Sequence, residues 1–289
     1  MKIQQVSPLI IGHRGNPGNP LNTAHIENTI DSFHSAWRSR ADGIELDAHL
    51  TKDGVLVVHH DDNLGRVFAI QGDNNERLIN EYTWEELQRA KLNLTGIKDG
   101  LRPNVIGDLA QLDRFAEVKI PKLEELLPMP EGKKLFLELK FEKDVEPESI
   151  QGKEYLTRLA KAAAQFLREH NLIDSTYVLS FVPSALLAIK NEEPRITTAH
   201  NIHQNQTTQP DSEQRITELK NQYGFNAVNP PFEQATKDST SLCHNLGLET
   251  YPWVWKQRYF DEQEMTYRIL RDGADGTINN QAWMRAVLF

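Results

Sequence analysis

Short apolar runs of strand length recur along this chain with helix-patterned segments between them. That alternation narrows the possible folds more than any other feature. The runs begin near residues 8, 42, 134, 176, 195, 226, 248 and 274. Leu9-Ile10-Ile11-Gly12 opens the series. Glu27-Asn28-Thr29 then starts a helix whose apolar positions Ile30, Phe33 and Trp37 fall at helical spacing. Strand, helix, strand is a βαβ unit, which implies a parallel sheet. Further helices are expected at 120–127, 155–170, 183–189, 214–223, 239–246 and 261–271. An open doubly wound sheet would use the same elements, but no Gly-x-Gly-x-x-Gly fingerprint occurs. Eight such strands in 289 residues predict an α/β chain folded as a (β/α)8 TIM barrel.

Residues 62–119 break the rhythm. Asp73 to Arg77 and Asn93 to Asn104 read as loops, and Thr83-Trp84-Glu85-Glu86 matches a capping box. This segment is expected to be a small insertion after the second strand of a single domain spanning 1–289.

The stretch from Asp42 to Arg66 concentrates the chemistry. Glu45 and Asp47 alternate with Ile44, Leu46 and Ala48, so both carboxylates share one face of a strand. Lys52-Asp53-Gly54 signals a hairpin returning through Val55 to His60. With Asp53-Gly54 as a two-residue turn, Asp47 pairs with His60. With the turn one position earlier, Glu45 pairs with His60. Either register puts His60, not His59, on the carboxylate face, whereas a three-residue turn reverses that choice. Taken by itself, the stretch also fits an exposed, half-polar edge hairpin.

Composition removes several function classes. The chain is 39% hydrophobic and 25% charged, as in ordinary globular proteins, and its net charge of −9 argues against nucleic acid as a partner. Cys243 is the single cysteine, so neither a disulfide nor a cysteine metal site can form within the chain. Leu9-Ile10-Ile11 is too short to be a leader or a span, so a cytoplasmic protein without stable membrane insertion is expected. Nothing in the sequence indicates an oligomeric state.

Barrel sites form at the carboxyl ends of the strands. His13-Arg14 ends the first strand, Glu45 and Asp47 the second with His60 folded over them, and Glu138 and Lys140 the third. Each has an ordinary structural explanation alone, but together they place three acids, two histidines and several cations on one rim. Three adjoining carboxylates raise one another's pKa unless a cation sits among them, and all-oxygen ligands favour Mg²⁺ or Ca²⁺. With Arg14 and Lys140 beside such an ion, a phosphoryl group fits, and two histidines suit the proton transfers of phosphate ester cleavage.

These residues resemble the glycerophosphodiester phosphodiesterase family. The resemblance rests on His-Arg-Gly at 13–15, Glu-Asn-Thr at 27–29, Glu-x-Asp at 45–47, Lys-Asp-Gly at 52–54 and His-Asp-x-x-Leu-x-Arg at 60–66. Ile-Pro-x-Leu-Glu-Glu-Leu-Leu at 120–127, Glu-Leu-Lys at 138–140, Ser180-Phe181 and Gly-Ala-Asp-Gly at 273–276 extend it. It implies a metal-dependent hydrolase that converts a small-molecule glycerophosphodiester to sn-glycerol 3-phosphate and an alcohol. By the same resemblance, Glu45, Asp47 and Glu138 would hold a divalent metal ion, Mg²⁺ or Ca²⁺. His13 and His60 would be the acid–base pair, Arg14 and Lys140 would bind phosphate, and Glu27 would support them.

The chain departs from the family pattern at Trp253-Val254-Trp255-Lys256 and at Thr277-Ile278-Asn279-Asn280. These segments are expected to line the pocket for the alcohol, with Asn280 removing an acceptor for substrate hydroxyls and Lys256 adding positive charge. Two other readings share the motifs. One is a phospholipase-type activity on intact lipids, which would use an apolar rim around Phe68 and Ile70; the other is a non-catalytic phosphate-binding barrel.

Overall fold

The computed structural model describes residues 7–17, 25–93, 117–141, 146–203, 211–254 and 259–288. Its strands are β1 (Leu9–Gly12), β2 (Gly43–Leu50), β3 (Leu56–Val58), β4 (Phe68–Ala69), β5 (Lys91–Leu92), β6 (Lys134–Leu139), β7 (Thr176–Ser180), β8 (Thr197–Asn201), β9 (Ala227–Asn229), β10 (Glu249–Thr250) and β11 (Gly276–Asn279). The helices are α1 (Ile30–Arg38), α2 (Trp84–Leu87), α3 (Ile150–Glu169), α4 (Pro183–Glu192), α5 (Asp211–Tyr223), α6 (Lys237–Asn245), α7 (Tyr259–Arg271) and α8 (Met284–Leu288).

Parallel pairing runs β10-β9-β8-β7-β6-β2-β1-β11. The two ends of that order meet. Asp275 N donates to Thr250 O at 3.1 Å, Ile278 N to Pro252 O at 3.0 Å, and Val254 N to Ile278 O at 2.9 Å. The result is a (β/α)8 barrel of eight parallel strands, as the alternation predicts. The seventh strand is shorter than the expected Leu248–Trp255 run: Pro252 has no N–H to donate, and regular pairing stops at Thr250. The segment 120–127 is not the expected helix but a 3₁₀ turn at Leu123–Leu126. Its length is one turn because Pro121 precedes it and Pro128 follows.

Period-two alternation divides the strands between two cores. Ile44, Leu46, Ala48 and Leu50 of β2 pack outward with Leu159, Ala160, Ala163 and Leu167 of α3. Each fully buried Leu or Ile among them contributes roughly 1.5–3 kcal/mol. Inside the barrel, Ile11, Phe136, Leu179, Ala199, Ala227, Tyr251 and Ile278 close the centre. Glu138 follows Phe136 by two residues, so it projects to the same interior side one step nearer the carboxyl ends.

The hairpin register differs from both two-residue-turn expectations. The observed pairs are Ala48 with Val58, His49 with Val57 and Leu50 with Leu56. The turn is Lys52-Asp53-Gly54, three residues, closed by Thr51 N donating to Val55 O at 2.9 Å. Thr51 and Asp53 select it: the Thr51 hydroxyl accepts from Val55 N at 2.9 Å and donates to Asp53 Oδ1 at 2.6 Å, while Gly54 takes the left-handed conformation at φ 83°. His59 then lies opposite Asp47 in the ladder, with its N–H donating to Asp47 O at 2.9 Å. The strand ends at Val58, however, and the ladder does not set where the next side chains go.

Within 62–119, residues 94–116 lie outside the described residues. The described part carries β4 paired with β5, a 3₁₀ turn at Ile79–Glu81, and α2. The capping box at Thr83 is formed: Thr83 N donates to Glu86 Oε2 at 2.7 Å and Glu86 N donates to Thr83 Oγ1 at 3.3 Å. Phe68 and Ile70 are buried with Val57, Leu64, Val67, Tyr82 and Leu87. They therefore fill a core between this segment and the barrel instead of forming an apolar rim. No helix among the described residues is long and apolar enough to cross a membrane.

Candidate active site

The site begins at the end of β1. Arg14 and Gly15 both have left-handed backbones, φ 53° and 92°. Arg14 holds a conformation that costs a non-glycine residue about 1–3 kcal/mol, and its surroundings maintain it. Its N–H donates to Glu45 Oε2 at 2.9 Å, its carbonyl accepts from Asn28 N at 3.1 Å and from Ser32 Oγ at 3.0 Å, and Nη1 donates to Glu27 Oε1 at 2.8 Å. Arg14 Nε lies 3.5 Å from Asp47 Oδ2. At Gly15 a Cβ would fall 2.4 Å from Ser32 Oγ and 2.7 Å from Ser32 C. Gly15→Ala is therefore expected to destabilise the fold by about 1–3 kcal/mol. It should also lower activity by moving Arg14 off Glu45; a thermal melt beside an activity assay checks both.

Glu45 and Asp47 on β2 and Glu138 on β6 are buried, and one oxygen of each lies within 4.8 Å of the others. The pairing of Asp47 with Glu138 across the β2–β6 ladder produces this closeness. Lys140 Nζ sits 2.9 Å from Glu138 Oε1 and 3.3 Å from Asp47 Oδ1. The acids do not behave alike. Burial drives Glu45 well above the ordinary carboxylate range, and the negative charges of Asp47 and Glu138 push the same way. Burial also raises Glu138, with Asp47 adding to it and Lys140 opposing. Burial works on Asp47 too, yet Lys140 above all, with Arg14 and Asn28, holds it below its usual value. These are acids that resist being ionised together. A divalent cation among them removes the conflict, so the donor set fits a hard ion bound through oxygen.

His13 and His60 flank this centre. His13 Nε2 lies 4.0 Å from Glu45 Oε2, and Nδ1 lies 2.9 Å from Asn280 Oδ1. Burial lowers its pKa to about 4, and Arg14 reinforces the shift. His60 follows the end of β3, where the chain leaves the ladder, and its charge environment is Arg14, Lys140, Asp47 and Glu27. Burial, then Arg14 and Lys140, hold its pKa well below the usual imidazole value. His60 Nδ1 is 2.8 Å from Asp61 Oδ1. His59 lies elsewhere: its ring meets Phe68 edge-on at 6.1 Å and His49 at 6.5 Å, and Nε2 is 3.2 Å from Asn63 O. The structure thus gathers His13, Arg14, Glu27, Glu45, Asp47, His60, Glu138 and Lys140 around one centre.

Groups assigned no role from the sequence hold these in place, Asn28 and Arg66 of the quoted motifs among them. Asn28 Nδ2 donates to Asp47 Oδ2 at 2.7 Å. Asn201 Nδ2 donates to Glu138 Oε2 at 3.1 Å, and Asn229 Nδ2 donates to Asn201 Oδ1 at 2.8 Å. Arg66 ties Glu27 to Asp61, with Nη2 2.6 Å from Glu27 Oε1 and Nε 2.6 Å from Asp61 Oδ2. Asn201 and Asn229 end neighbouring strands, which is the signal that could have found them. Asn280 borders His13 as expected, with its amide engaged by His13 and by Glu262. Trp255 and Lys256 lie outside the described residues.

Known proteins carry the same pattern. The sequence profile of the glycerophosphoryl diester phosphodiesterase family matches residues 13–282. A glycerophosphodiester phosphodiesterase of Caldanaerobacter subterraneus subsp. tengcongensis is 27% identical over 272 residues, 94% of this chain and 93% of that protein. One from Bacillus altitudinis is 37% identical over 130 residues, 44% of this chain and 42% of its own length. In fold, the chain is similar to a Silicibacter pomeroyi glycerophosphoryl diester phosphodiesterase structure, with TM-score 0.73, 23% identity and coverage of 97% and 93%. It is also similar to an Oleispira antarctica phosphodiesterase solved with its product sn-glycerol-3-phosphate, with TM-score 0.68, 20% identity and coverage of 97% and 96%. With the barrel, the acid centre and this match over nearly its whole length, the chain belongs to the glycerophosphoryl diester phosphodiesterase family and is a phosphoric diester hydrolase.

Proposed function

We propose that this protein hydrolyses glycerophosphodiesters to sn-glycerol 3-phosphate and an alcohol, in a metal-dependent reaction with His13 and His60 as the acid–base pair. The observation that carries this reading is the convergence of three buried carboxylates within 4.8 Å, flanked by Arg14 and Lys140 and by two histidines. The product seen in the Oleispira relative supports the substrate class.

Glu45, Asp47 and Glu138 would hold Mg²⁺ or Ca²⁺, which supplies charge to polarise a phosphoryl oxygen. Arg14 and Lys140 take up negative charge on the remaining phosphate oxygens as it grows. One histidine accepts the proton of the attacking hydroxyl and the other protonates the departing alkoxide, so the P–O bond breaks without releasing a free alkoxide. Water as attacker gives glycerol 3-phosphate directly. The glycerol hydroxyl next to the phosphate would give a cyclic phosphate first, opened by water in a second step. Glu27, held below its usual pKa despite burial by Arg14 and Arg66, stays anionic and fixes the Arg14 guanidinium.

The test is a panel of glycerophosphodiesters differing only in head group, with products followed by phosphorus NMR. Glycerol 3-phosphate should accumulate from at least one diester, while intact phospholipid in vesicles should be left untouched. Cleavage of the vesicle lipid alone would replace this reading with a phospholipase-type one. Turnover of nothing in the panel, with metal bound, would leave a phosphate-binding barrel.

A further inference from the structure

Asn280 follows the end of β11, nearly buried, with both ends of its amide in use. Oδ1 is 2.9 Å from His13 Nδ1, and Nδ2 donates to Glu262 Oε1 at 2.7 Å. Glu262 is fully buried on α7. The two ends of the amide are not interchangeable here. An ionised Glu262 only accepts, so the NH₂ group faces Glu262, as its 2.7 Å contact has it, and the carbonyl oxygen faces His13. That oxygen also only accepts, so the proton of a neutral His13 belongs on Nδ1. Nε2 then carries the lone pair, on the side of the ring that lies 4.0 Å from Glu45 Oε2.

We propose that Asn280 is a positioning residue that holds His13 as its Nδ1–H tautomer and aims the Nε2 lone pair at the carboxylate centre. The inference rests on the proton-transfer role proposed for His13 and adds to it the orienting chain Glu262–Asn280–His13. The two histidines are supported differently. His60 leans on a carboxylate, Asp61, whereas His13 leans on a neutral amide. An amide fixes the ring and its tautomer without placing a full negative charge against Nδ1, so it orients the ring while stabilising the imidazolium less than a carboxylate would.

The experiment uses ¹⁵N-histidine-labelled, metal-free protein at pH 8. The His13 signals are identified by their loss in His13→Ala, and kcat and KM are measured on the metal-loaded forms. Wild type should show a protonated Nδ1 and an unprotonated Nε2 at His13. Asn280→Ala should mix or invert the tautomer and lower kcat by about 10–100-fold, the usual effect of losing an orienting partner, with KM little changed. The pair Asn280→Asp with Glu262→Gln conserves charge and reproduces the same donor and acceptor order. It should restore the Nδ1–H tautomer and most of the lost kcat. A wild-type His13 protonated at Nε2 overturns the proposal, as does an Asn280→Ala tautomer identical to wild type, whatever its kcat. If Asn280→Ala fails to fold, the wild-type spectrum and the double variant still decide. An undiminished kcat in His13→Ala is a separate outcome, which removes the proton-transfer role itself whatever the tautomer.

Discussion

Stripping divalent ions with a chelator is expected to abolish hydrolysis, and adding Mg²⁺ or Ca²⁺ to restore it. The reason lies in the centre itself. Glu45, Asp47 and Glu138 are buried together, and burial with mutual repulsion drives two of them upward in pKa. Without a cation the site settles by taking up protons, which removes ligands and leaves the growing phosphate charge to Arg14 and Lys140 alone. A loss of several orders of magnitude in kcat should follow, since the polarising charge is worth several kcal/mol. The same linkage makes the ion a stabiliser: at a hundredfold excess over its Kd, it should add about 2.7 kcal/mol to the folded state, visible as a raised Tm. Undiminished turnover in chelator, with metal shown absent by elemental analysis, would remove the proposed centre.

His60→Ala is expected to lower kcat by roughly two to four orders of magnitude, the usual contribution of a positioned acid or base. Its neighbour should behave differently. His59 is buried against His49 and Phe68, with Nε2 at Asn63 O. His59→Ala should cost about 1–3 kcal/mol of stability through the lost contacts and hydrogen bond, with kcat in the folded fraction close to wild type. Denaturant melts and initial rates on both purified variants make the comparison. Equal collapse of kcat in two well-folded variants would show that the division of labour between the adjacent histidines is wrong.

The choice of His60 over His59 shows how far the sequence could be read. Alternation in β2 correctly put Glu45 and Asp47 on one face, because the strand period leaves no other option. The hairpin register was misjudged because Asp53-Gly54 signals a two-residue turn, while the Thr51 hydroxyl and the Asp53 carboxylate assemble a longer one. His60 reaches the centre for a different reason than the ladder argument offered: β3 stops at Val58, and the chain bends before the second histidine. The barrel was legible since eight strand-length runs carry their own pattern. The short helix expected at 120–127 was not, since two flanking prolines limit it to one turn. Asn28 and Asn280 were seen only as a motif member and a departure, and Asn201 and Asn229 not at all, because an asparagine's type alone does not say what it supports. Its meaning lies in which group its amide meets, and that depends on strands far apart in the chain, as with Asn280 and His13.

The charges around Arg14 do not balance. Among the described residues, five carboxylates, Glu27, Glu45, Asp47, Asp61 and Glu138, are joined by contacts to three permanent cations, Arg14, Arg66 and Lys140. The two histidines are held neutral by their lowered pKa values. Fully ionised, these described groups are short by two positive charges, the amount one divalent ion would bring. A monovalent ion would leave them anionic and hostile to phosphate, and a trivalent one would overshoot. Once balanced, the pocket would receive a diester of single charge. It must then release a monoester whose second ionisation, near pH 6, carries it toward two charges. On the proposed function, catalysis would therefore raise the charge of the bound ligand, and the hold of the metal, Arg14 and Lys140 on the product would strengthen as pH rises through that second ionisation.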